Sequence, residues 1–196
     1  MASYDLTVKI ILLGDYSVNK AEILRALSSV TPGHGVSSLG MRTSALVEMM
    51  FVRDGKRVKA KVHDTAGAHG CVLLFDVMQR STFEHLNEWQ EELQAHSATD
   101  EIVTTLTGCN SHVTGSKRQV DARTGQEFAN YLGVPYEEIS VQSVSSVVHL
   151  LEKLIDRIVL KASRLPAFST TIKPLDQKLE DLREKAQAKQ KCACVS

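Results

Sequence analysis

Apolar residues recur along the chain with two different periods, and segments of the two kinds alternate. Short apolar runs bounded by turn residues predict buried β-strands, at residues 6–13, 43–52, 56–62, 71–77, 102–107 and 136–141. Apolar residues three or four apart predict amphipathic helices, at residues 20–27, 81–94, 121–132 and 145–162. The stretch 28–40, rich in Ser, Gly, Pro and Thr, predicts a loop, and Arg53-Asp54-Gly55 predicts a hairpin.

This order of elements predicts an α/β fold. After one hairpin, strands and helices alternate, which is typical of a mostly parallel sheet, here of six strands, with helices on both faces. The length of 196 residues fits one domain at residues 1–162 followed by a flexible tail at residues 163–196. Ligands of such sheets bind at the carboxyl ends of the strands, where the loops at 14–20, 64–67, 108–113 and 140–143 are expected to meet.

Composition excludes several classes of protein. Lys and Arg together number 23, as do Asp and Glu, so the formal net charge is zero and a globally basic nucleic-acid binder is excluded. No apolar run approaches the roughly 18–20 residues of a membrane span, and no secretory leader is expected. The four cysteines and seven histidines lack the spacing of a disulfide framework or a zinc site, which favours a reducing cytosol.

The segment after the first predicted strand is related to a phosphate-binding loop. Gly14 and Lys20 fit the pattern G-x-x-x-x-G-K-[ST], whereas Asn19 replaces the second glycine and Ala21 replaces the hydroxyl residue. Asn is among the least costly non-glycine residues at positive φ, but Ala21 has no oxygen to offer Mg²⁺. From these residues alone, a degenerate phosphate loop, an intact one and an unrelated strand–turn–helix all remain open.

Together with other motifs, the chain resembles a Rab-type small GTPase of the Ras superfamily over residues 6–160. The resemblance is carried by residues 8–20, by the run from Asp54 to Gly67 that ends in Asp-Thr-Ala-Gly, and by residues 70–93 and 125–140. It implies a P-loop small-GTPase-like fold that binds GTP or GDP with Mg²⁺ and hydrolyses GTP. It also implies a role in vesicle-mediated membrane traffic and protein transport.

The resemblance further implies which residues hold the ligands. Mg²⁺ is expected at Ser38 and Asp64, and no catalytic residue is assigned. The nucleotide is expected to contact the phosphate loop and the loops near the base, at Gly14, Asp15, Tyr16, Ser17, Val18, Asn19, Lys20, Ala21, Gly67, Asn110, Ser140, Val141 and Gln142.

Several positions depart from the family's pattern. Ser17 replaces a further loop glycine, Ala68 stands where a glutamine orients the attacking water, and Val113 stands where a carboxylate reads guanine. We therefore expect weak or absent GTP hydrolysis and a lost preference for guanine over adenine. The leading hypothesis is a pseudo-GTPase with weak or lost GTP binding that acts through protein partners. A working, divergent GTPase and a non-functional splice form or pseudogene product are the alternatives.

The connection after Gly67 is unusually short, because the family's switch II segment and its helix are missing. Residues 65–70 leave six residues to join two parallel strands two positions apart, where a crossover normally needs a dozen or more. Six extended residues span about 20–22 Å, close to the roughly 20 Å needed to return along a five-residue strand. We therefore expect either a taut connection or unravelled strand ends, without a helix. This implies a strained or rearranged centre and lower stability than in other family members.

The tail ends in Cys192-Ala193-Cys194 with two residues behind it. This resembles the paired terminal cysteines of Rab proteins, which implies dual prenylation of Cys192 and Cys194 and a stable membrane anchor; a pair of unmodified thiols is the alternative. We expect a monomer on the cytoplasmic face of an intracellular membrane, with a cytosolic pool. The implied partners are membrane-traffic effectors and the escort and prenylation machinery, and no nucleic acid.

Overall fold

A single sheet organises the part of the chain that the structure describes. The computed structural model describes residues 5–30, 36–43, 46–53, 55–63, 68–96 and 102–164. The strands are β1 (Leu6–Leu13), β2 (Val36–Thr43), β3 (Leu46–Arg53), β4 (Lys56–His63), β5 (Gly70–Asp76), β6 (Val103–Cys109) and β7 (Tyr136–Ile139). The helices are α1 (Lys20–Ser28), α2 (Arg80–Glu84), α3 (Leu86–His96), α4 (Ala122–Leu132) and α5 (Val144–Arg164), with a 3₁₀ turn at Gly115–Lys117.

The strands lie in the order β2-β3-β4-β1-β5-β6-β7. The pairs β4–β1, β1–β5, β5–β6 and β6–β7 are parallel, whereas β2–β3 and β3–β4 are antiparallel. The antiparallel pair β3–β4 is the predicted hairpin, and Gly55 in its turn has a φ of 74°. The mostly parallel α/β fold is therefore confirmed.

The structure adds an edge strand, β2, to the six strands that the apolar pattern predicts. The prediction of a loop at residues 28–40 is wrong from Val36 onward, because this segment pairs antiparallel with β3 at the edge of the sheet. Pairing of this kind is made by backbone N–H and C=O groups, which every residue type here provides. A segment rich in Ser and Gly therefore joins the sheet without showing an apolar pattern.

Helices cover both faces of the sheet, as predicted. Val8, Ile10 and Leu12 of β1 belong to one core cluster, which also contains the buried faces of α1 and α5. Ile11 and Leu13 belong to a second cluster, which contains buried residues of α3 and α4. All five side chains are at most 2% exposed. A central strand buried on both faces gives a continuous apolar run in the sequence rather than an alternating one.

β4 and β5 flank β1 with a stagger that shortens the path between them. His63 at the end of β4 lies opposite Ile11, and Gly70 at the start of β5 lies opposite Ile10. Residues 64–67 lie outside the described part, but the flanking ends are separated by about 10 Å across β1 and by about one residue along it. The predicted return along a whole strand is therefore wrong, because β4 and β5 pair with different parts of β1.

Local signals explain both ends of α4, and a second predicted helix is divided in two. Asp121 caps α4, since its carboxylate accepts from the Thr124 N–H at 2.7 Å, and Gly133 ends the helix with a φ of 69°. The helix predicted at residues 81–94 is two helices, because α2 ends at Glu84 and α3 begins at Leu86. The break places His85 at the junction of the two helices.

Candidate nucleotide-binding site

The loop between β1 and α1 has the backbone shape of a phosphate cradle. Gly14 has a φ of 145°, and a Cβ at this position would overlap the carbonyl oxygen of Leu74, so only glycine fits. Asn19 has a φ of 58° and a ψ of 34°, and α1 begins at the next residue. Asn is one of the few non-glycine residues that visit this left-handed region readily. The loop therefore keeps two turns that normally need glycine, although one glycine is replaced.

Lys20 extends its amine back over this loop. Its Nζ donates to the carbonyl oxygens of Gly14 at 2.6 Å and of Asp15 at 3.2 Å, and lies 6.0 Å from the centre of the Trp89 ring. Asn19, the N-cap of α1, makes no side-chain hydrogen bond to the first turn, although its carbonyl oxygen accepts from the Glu22 N–H at 3.0 Å. The first N–H groups of a helix have no acceptor within the helix. A cation and a helix N-terminus thus lie together, a combination that attracts anions.

Two side chains outside the loop anchor its second residue. The Asp15 carboxylate accepts from Nε1 of Trp89 at 2.7 Å and lies 2.7 Å from Nδ1 of His85. Asp15 is only 8% exposed, so these contacts fix the loop against α3 in a largely water-free position. Neither partner is predicted by the sequence pattern, in which Trp89 belongs to an apolar helix face and His85 has no assigned role. Their spacing of four was the one available signal.

The remaining loop residues divide between the core and the surface. Val18 is fully buried, whereas Tyr16 is 68% exposed and Ala21 lies exposed in the first turn of α1. The Ser17 hydroxyl is buried and has no hydrogen-bond partner in the described part of the chain. Since buried polar groups normally have a partner, this hydroxyl fits a ligand in the loop. The loop therefore fits a phosphate group by shape, charge and donors.

The two predicted base-binding loops meet at the carboxyl ends of β6 and β7. The Ser111 N–H donates to the carbonyl oxygen of the last residue of β7 at 3.0 Å, and Nδ1 of His112 lies 3.1 Å from the Ser140 hydroxyl oxygen. Asn110 is 8% exposed and left-handed, with a φ of 63°. Ser140, Val141 and Gln142 follow β7 directly, so the structure brings this part of the expected site together.

The position expected to read guanine carries an apolar side chain. The Val113 N–H donates to the Asn110 carbonyl oxygen at 3.0 Å and closes the turn after β6. The valine side chain has no atom that accepts a hydrogen bond from a base. The local turn is therefore present without the carboxylate that selects guanine in the family's pattern.

The expected metal ligands are only partly within the described residues. Ser38 lies in β2, but its side chain lies outside the described part, as do Asp64 and Gly67. Ala21, at the helix position that normally supplies a hydroxyl, carries no oxygen. Within the described ranges, no group of three His, Cys, Asp or Glu residues is arranged to hold a metal ion. The described residues thus provide a phosphate cradle but no Mg²⁺ ligand at the start of α1.

The cysteines fall into two groups. Cys192 and Cys194 lie outside the described residues, as does the whole tail beyond Arg164. Cys71 and Cys109 are buried in the sheet, and burial raises the pKa of each thiol, so neither is reactive at neutral pH.

Among the helices that the structure describes, none has both the length and the apolar character to cross a membrane.

Comparison with known proteins gives the family. The family model described as "Ras family" matches residues 9–160. Ras-related protein Rab-40A-like from Homo sapiens is 31% identical over 177 residues, which cover 83% of this chain and 62% of that protein. Ras-related protein Rab-42 from Homo sapiens is 30% identical over 168 residues, which cover 76% of this chain and 77% of that protein. The chain thus spans less than two thirds of the first relative. It belongs to the Ras family, as a divergent Rab-type small GTPase.

Proposed function

We propose that this protein is a Rab-like component of membrane traffic whose loop still binds phosphate but which has lost the groups for efficient GTP hydrolysis. The observation that carries the proposal is the loop at the start of α1. Asn19 keeps the left-handed turn, and Lys20 keeps its amine over the loop, 2.6 Å from the carbonyl oxygen of Gly14. Ala21 follows without a hydroxyl. The protein acts by binding partners rather than by turnover.

Phosphate binding rests on three groups. The Lys20 amine now donates to neutral carbonyl oxygens, and a phosphate oxygen is a stronger acceptor because it is charged. The buried Ser17 hydroxyl gains a partner. The uncapped N-terminus of α1 adds N–H groups and a favourable dipole. Asp15 does not oppose the phosphate with a free carboxylate, because His85 and Trp89 hold both of its oxygens.

Hydrolysis lacks two groups of the family's machinery. Mg²⁺, when bound in this family, neutralises charge on the phosphates during transfer. Ala21 supplies no ligand for it. Ala68, at the position of the glutamine that orients water, is fully buried in the core cluster that contains residues of α3. We therefore expect turnover to be absent or very slow, and nucleotide affinity to depend little on Mg²⁺.

Base selection is expected to be weak. Hydrogen bonds to a charged group contribute about 1.5–3 kcal/mol each. The Val113 side chain has no carboxylate that could accept such bonds from guanine. Backbone contacts from residues 140–142 and the amide of Asn110 are independent of the missing carboxylate. The site is therefore proposed to bind guanine and adenine nucleotides with similar affinity.

The membrane part of the proposal rests on the tail and on the relatives. Cys192-Ala193-Cys194 is proposed to carry two prenyl groups, which together give stable anchoring where one gives only marginal binding. The protein then divides between the cytoplasmic face of an intracellular membrane and a cytosolic pool. The proposed partners are traffic effectors and the escort and prenylation machinery.

The decisive experiment is a titration of the purified, nucleotide-stripped full chain with fluorescent GDP, GTP and ADP, with and without Mg²⁺. We expect saturable binding of all three nucleotides with little effect of Mg²⁺. Lys20→Ala should weaken binding by about tenfold or more, because it removes a charged donor to phosphate. Lys56→Ala is the matched control, since Lys56 is exposed at the amino end of β4, away from the loop, and it should leave the affinity unchanged.

Each other outcome has a definite meaning. Equal affinity of the natural chain and Lys20→Ala would show that the phosphates do not bind in this loop. Strong, Mg²⁺-dependent binding with measurable turnover would support the working GTPase instead. A purified chain that is unfolded would support the non-functional splice or pseudogene product. A folded chain without any nucleotide binding would limit the function to partner binding.

A further inference from the structure

A cavity lies at the end of the domain opposite the phosphate loop. It has a volume of about 810 Å³, which is in the range of small-molecule sites. Its walls are the second half of α5, the second half of α3, the turn after α4 and the start of β6. The phosphate loop follows the carboxyl end of β1, whereas this cavity is beside the amino end of a parallel strand. The two sites are therefore separate.

One wall of this cavity is cationic. Arg157, Lys161 and Arg164 of α5 all line it, and their spacing of four and three residues places them on one face of the helix. No Asp or Glu is found among the lining residues that the structure describes. In a chain with zero formal net charge, three cations thus line the same cavity.

Arg157 is a half-buried cation whose side chain is held by hydrogen bonds. Its guanidinium donates to the Thr105 hydroxyl at 2.9 Å and to the Thr104 carbonyl oxygen at 3.2 Å, which fixes its orientation. Burial lowers the pKa of Arg157, against the opposite effect of the charge on Glu137. A guanidinium has five N–H donors and two of them are used here, so three remain for an anion. Arg is the side chain best suited to bind phosphate in this way.

The facing wall provides uncharged polar groups. Gln90 and Gln94 of α3 line the cavity, and Oε1 of Gln90 is buried without a hydrogen-bond partner in the described part of the chain. Amide side chains both donate and accept, so they suit hydroxyl groups. Cations on one wall and amides on the other match a ligand that carries phosphate and hydroxyl groups together.

We propose that this cavity binds a phosphorylated polyol, such as the head group of an anionic phospholipid or a soluble sugar or inositol phosphate. The phosphate binds Arg157, Lys161 and Arg164, and the hydroxyl groups bind Gln90 and Gln94. The proposal does not depend on nucleotide binding at the loop that contains Lys20.

The test is calorimetric titration of the full chain, produced without lipid modification, with inositol trisphosphate. The variant Lys161→Gln/Arg164→Gln should bind at least about tenfold more weakly, since it removes two charged donors. Arg80→Gln/Arg123→Gln is the matched control, because it removes the same charge from two exposed i,i+4 ion pairs elsewhere on the surface. Arg157→Lys keeps the charge but removes the planar guanidinium, and it should also weaken binding.

Vesicles distinguish the two sources of the ligand. The same proteins are sedimented with phosphatidylcholine vesicles that contain or lack a phosphatidylinositol phosphate. Binding to the phosphorylated vesicles that is lost in Lys161→Gln/Arg164→Gln and retained in the control supports a lipid head group. Binding of inositol trisphosphate alone supports a soluble phosphate.

Three results would overturn the proposal. One is the absence of binding in both assays by a chain that unfolds cooperatively. Another is an equal loss of binding in the cavity variant and in the Arg80→Gln/Arg123→Gln control, which would show that only general surface charge matters. The third is a loss of binding in Lys20→Ala, which should abolish neither signal; that loss would place the phosphate in the nucleotide loop instead.

Discussion

Gly125 lies in the middle of α4, where glycine is normally unfavourable. A Cβ at this position would lie 2.5 Å from Cζ and Oη of Tyr136 and 2.8 Å from its Cε2. The tyrosine cannot simply move, because its hydroxyl donates to Glu138 at 2.6 Å and its ring stacks on Phe75. The glycine therefore allows α4 to approach β7 closely.

We expect Gly125→Ala to lower the free energy of unfolding by about 1–2 kcal/mol. The gain in helix propensity of about 1 kcal/mol is smaller than the cost of overpacking against the ring. In a Tyr136→Ala background the same change should be neutral or stabilising. Urea unfolding of the four proteins measures the coupling, and a stabilising Gly125→Ala in the natural chain would contradict this account.

His69 is a half-buried histidine that joins two strands. Its ring Nδ1 accepts from the backbone N–H of Lys9 at 3.0 Å, and its backbone N–H donates to the Lys9 carbonyl oxygen at 2.8 Å. Burial, and secondarily the charge of Lys9, lower the pKa of His69 below its ordinary value of 6.5. The folded chain thus favours the neutral imidazole, whose unprotonated Nδ1 accepts the hydrogen bond from Lys9.

His69 should make the protein less stable in mild acid. Because the pKa of His69 is lower in the folded chain, the unfolded chain binds more protons below about pH 6.5. Its contribution is complete above that pH and is lost as the pH falls. His69→Asn keeps an acceptor near Nδ1 but does not titrate. The difference in unfolding free energy between pH 7 and pH 5 should therefore be smaller in this variant than in the natural chain.

Some contacts between residues follow from a local signal in the sequence. Gly14 and Lys20 belong to one short motif, and the Lys20 amine lies 2.6 Å from the carbonyl oxygen of Gly14. The anchoring of Asp15 is different, since His85 and Trp89 are 70 and 74 residues away. The spacing of four between His85 and Trp89 places them close together, but it does not identify Asp15 as their partner, because that contact forms only when the loop after β1 packs against α3.

At the scale of elements, the antiparallel strands β3 and β4 carry a charged outer face. Glu48 lies directly opposite Lys61 in the register, and its carboxylate is 3.0 Å from Nζ of Lys59 and 3.8 Å from Nζ of Lys61. The Glu48 side chain is only 4% exposed. A carboxylate placed between two cations fixes which residues of β3 and β4 face each other.

We expect Glu48→Gln to lower the free energy of unfolding by about 3 kcal/mol, since it removes the charge of the buried partner from an ion pair. Glu84→Gln is the control, because Glu84 pairs with Arg80 at an exposed helix surface and such pairs contribute about 1 kcal/mol or less. Chemical denaturation compares the two. Equal losses would show that the Glu48 cluster contributes no more than a surface pair.

The elements themselves are predictable from the sequence to different degrees. α4 was predictable because Asp121 and Gly133 mark its ends and its apolar spacing is regular. β2 was not, since it is held by pairing with β3 rather than by an apolar pattern. The break at His85 was also missed, because the residues on either side continue a helical spacing.

At the scale of the whole molecule, the stagger of β4 and β5 changes the expectation for the connection between them. The ends to be joined are about 10 Å apart across β1, and His63 and Gly70 lie within one residue of each other along it. The sequence could not reveal this, because it shows the length of each strand but not its register with β1. Reduced stability relative to other family members stays a prediction.

We expect an insertion of six Gly and Ser residues between Gly67 and Ala68 to lower the free energy of unfolding by only about 0.6 kcal/mol. This is the entropic cost of doubling the length of a flexible connection. Thermal and urea unfolding of the two chains measure it. A clear rise in stability on insertion would instead show that the natural connection is strained.

The stagger about β1 also has an evolutionary consequence. Where two strands end and begin at nearly the same level on a shared neighbour, the residues that join them are not needed to span the sheet. We therefore expect the segment between β4 and β5 to change in length without altering the pairing of either strand with β1. The junction between β4 and β5 is thus a position where this fold tolerates large changes in length, and where function can change without a new architecture.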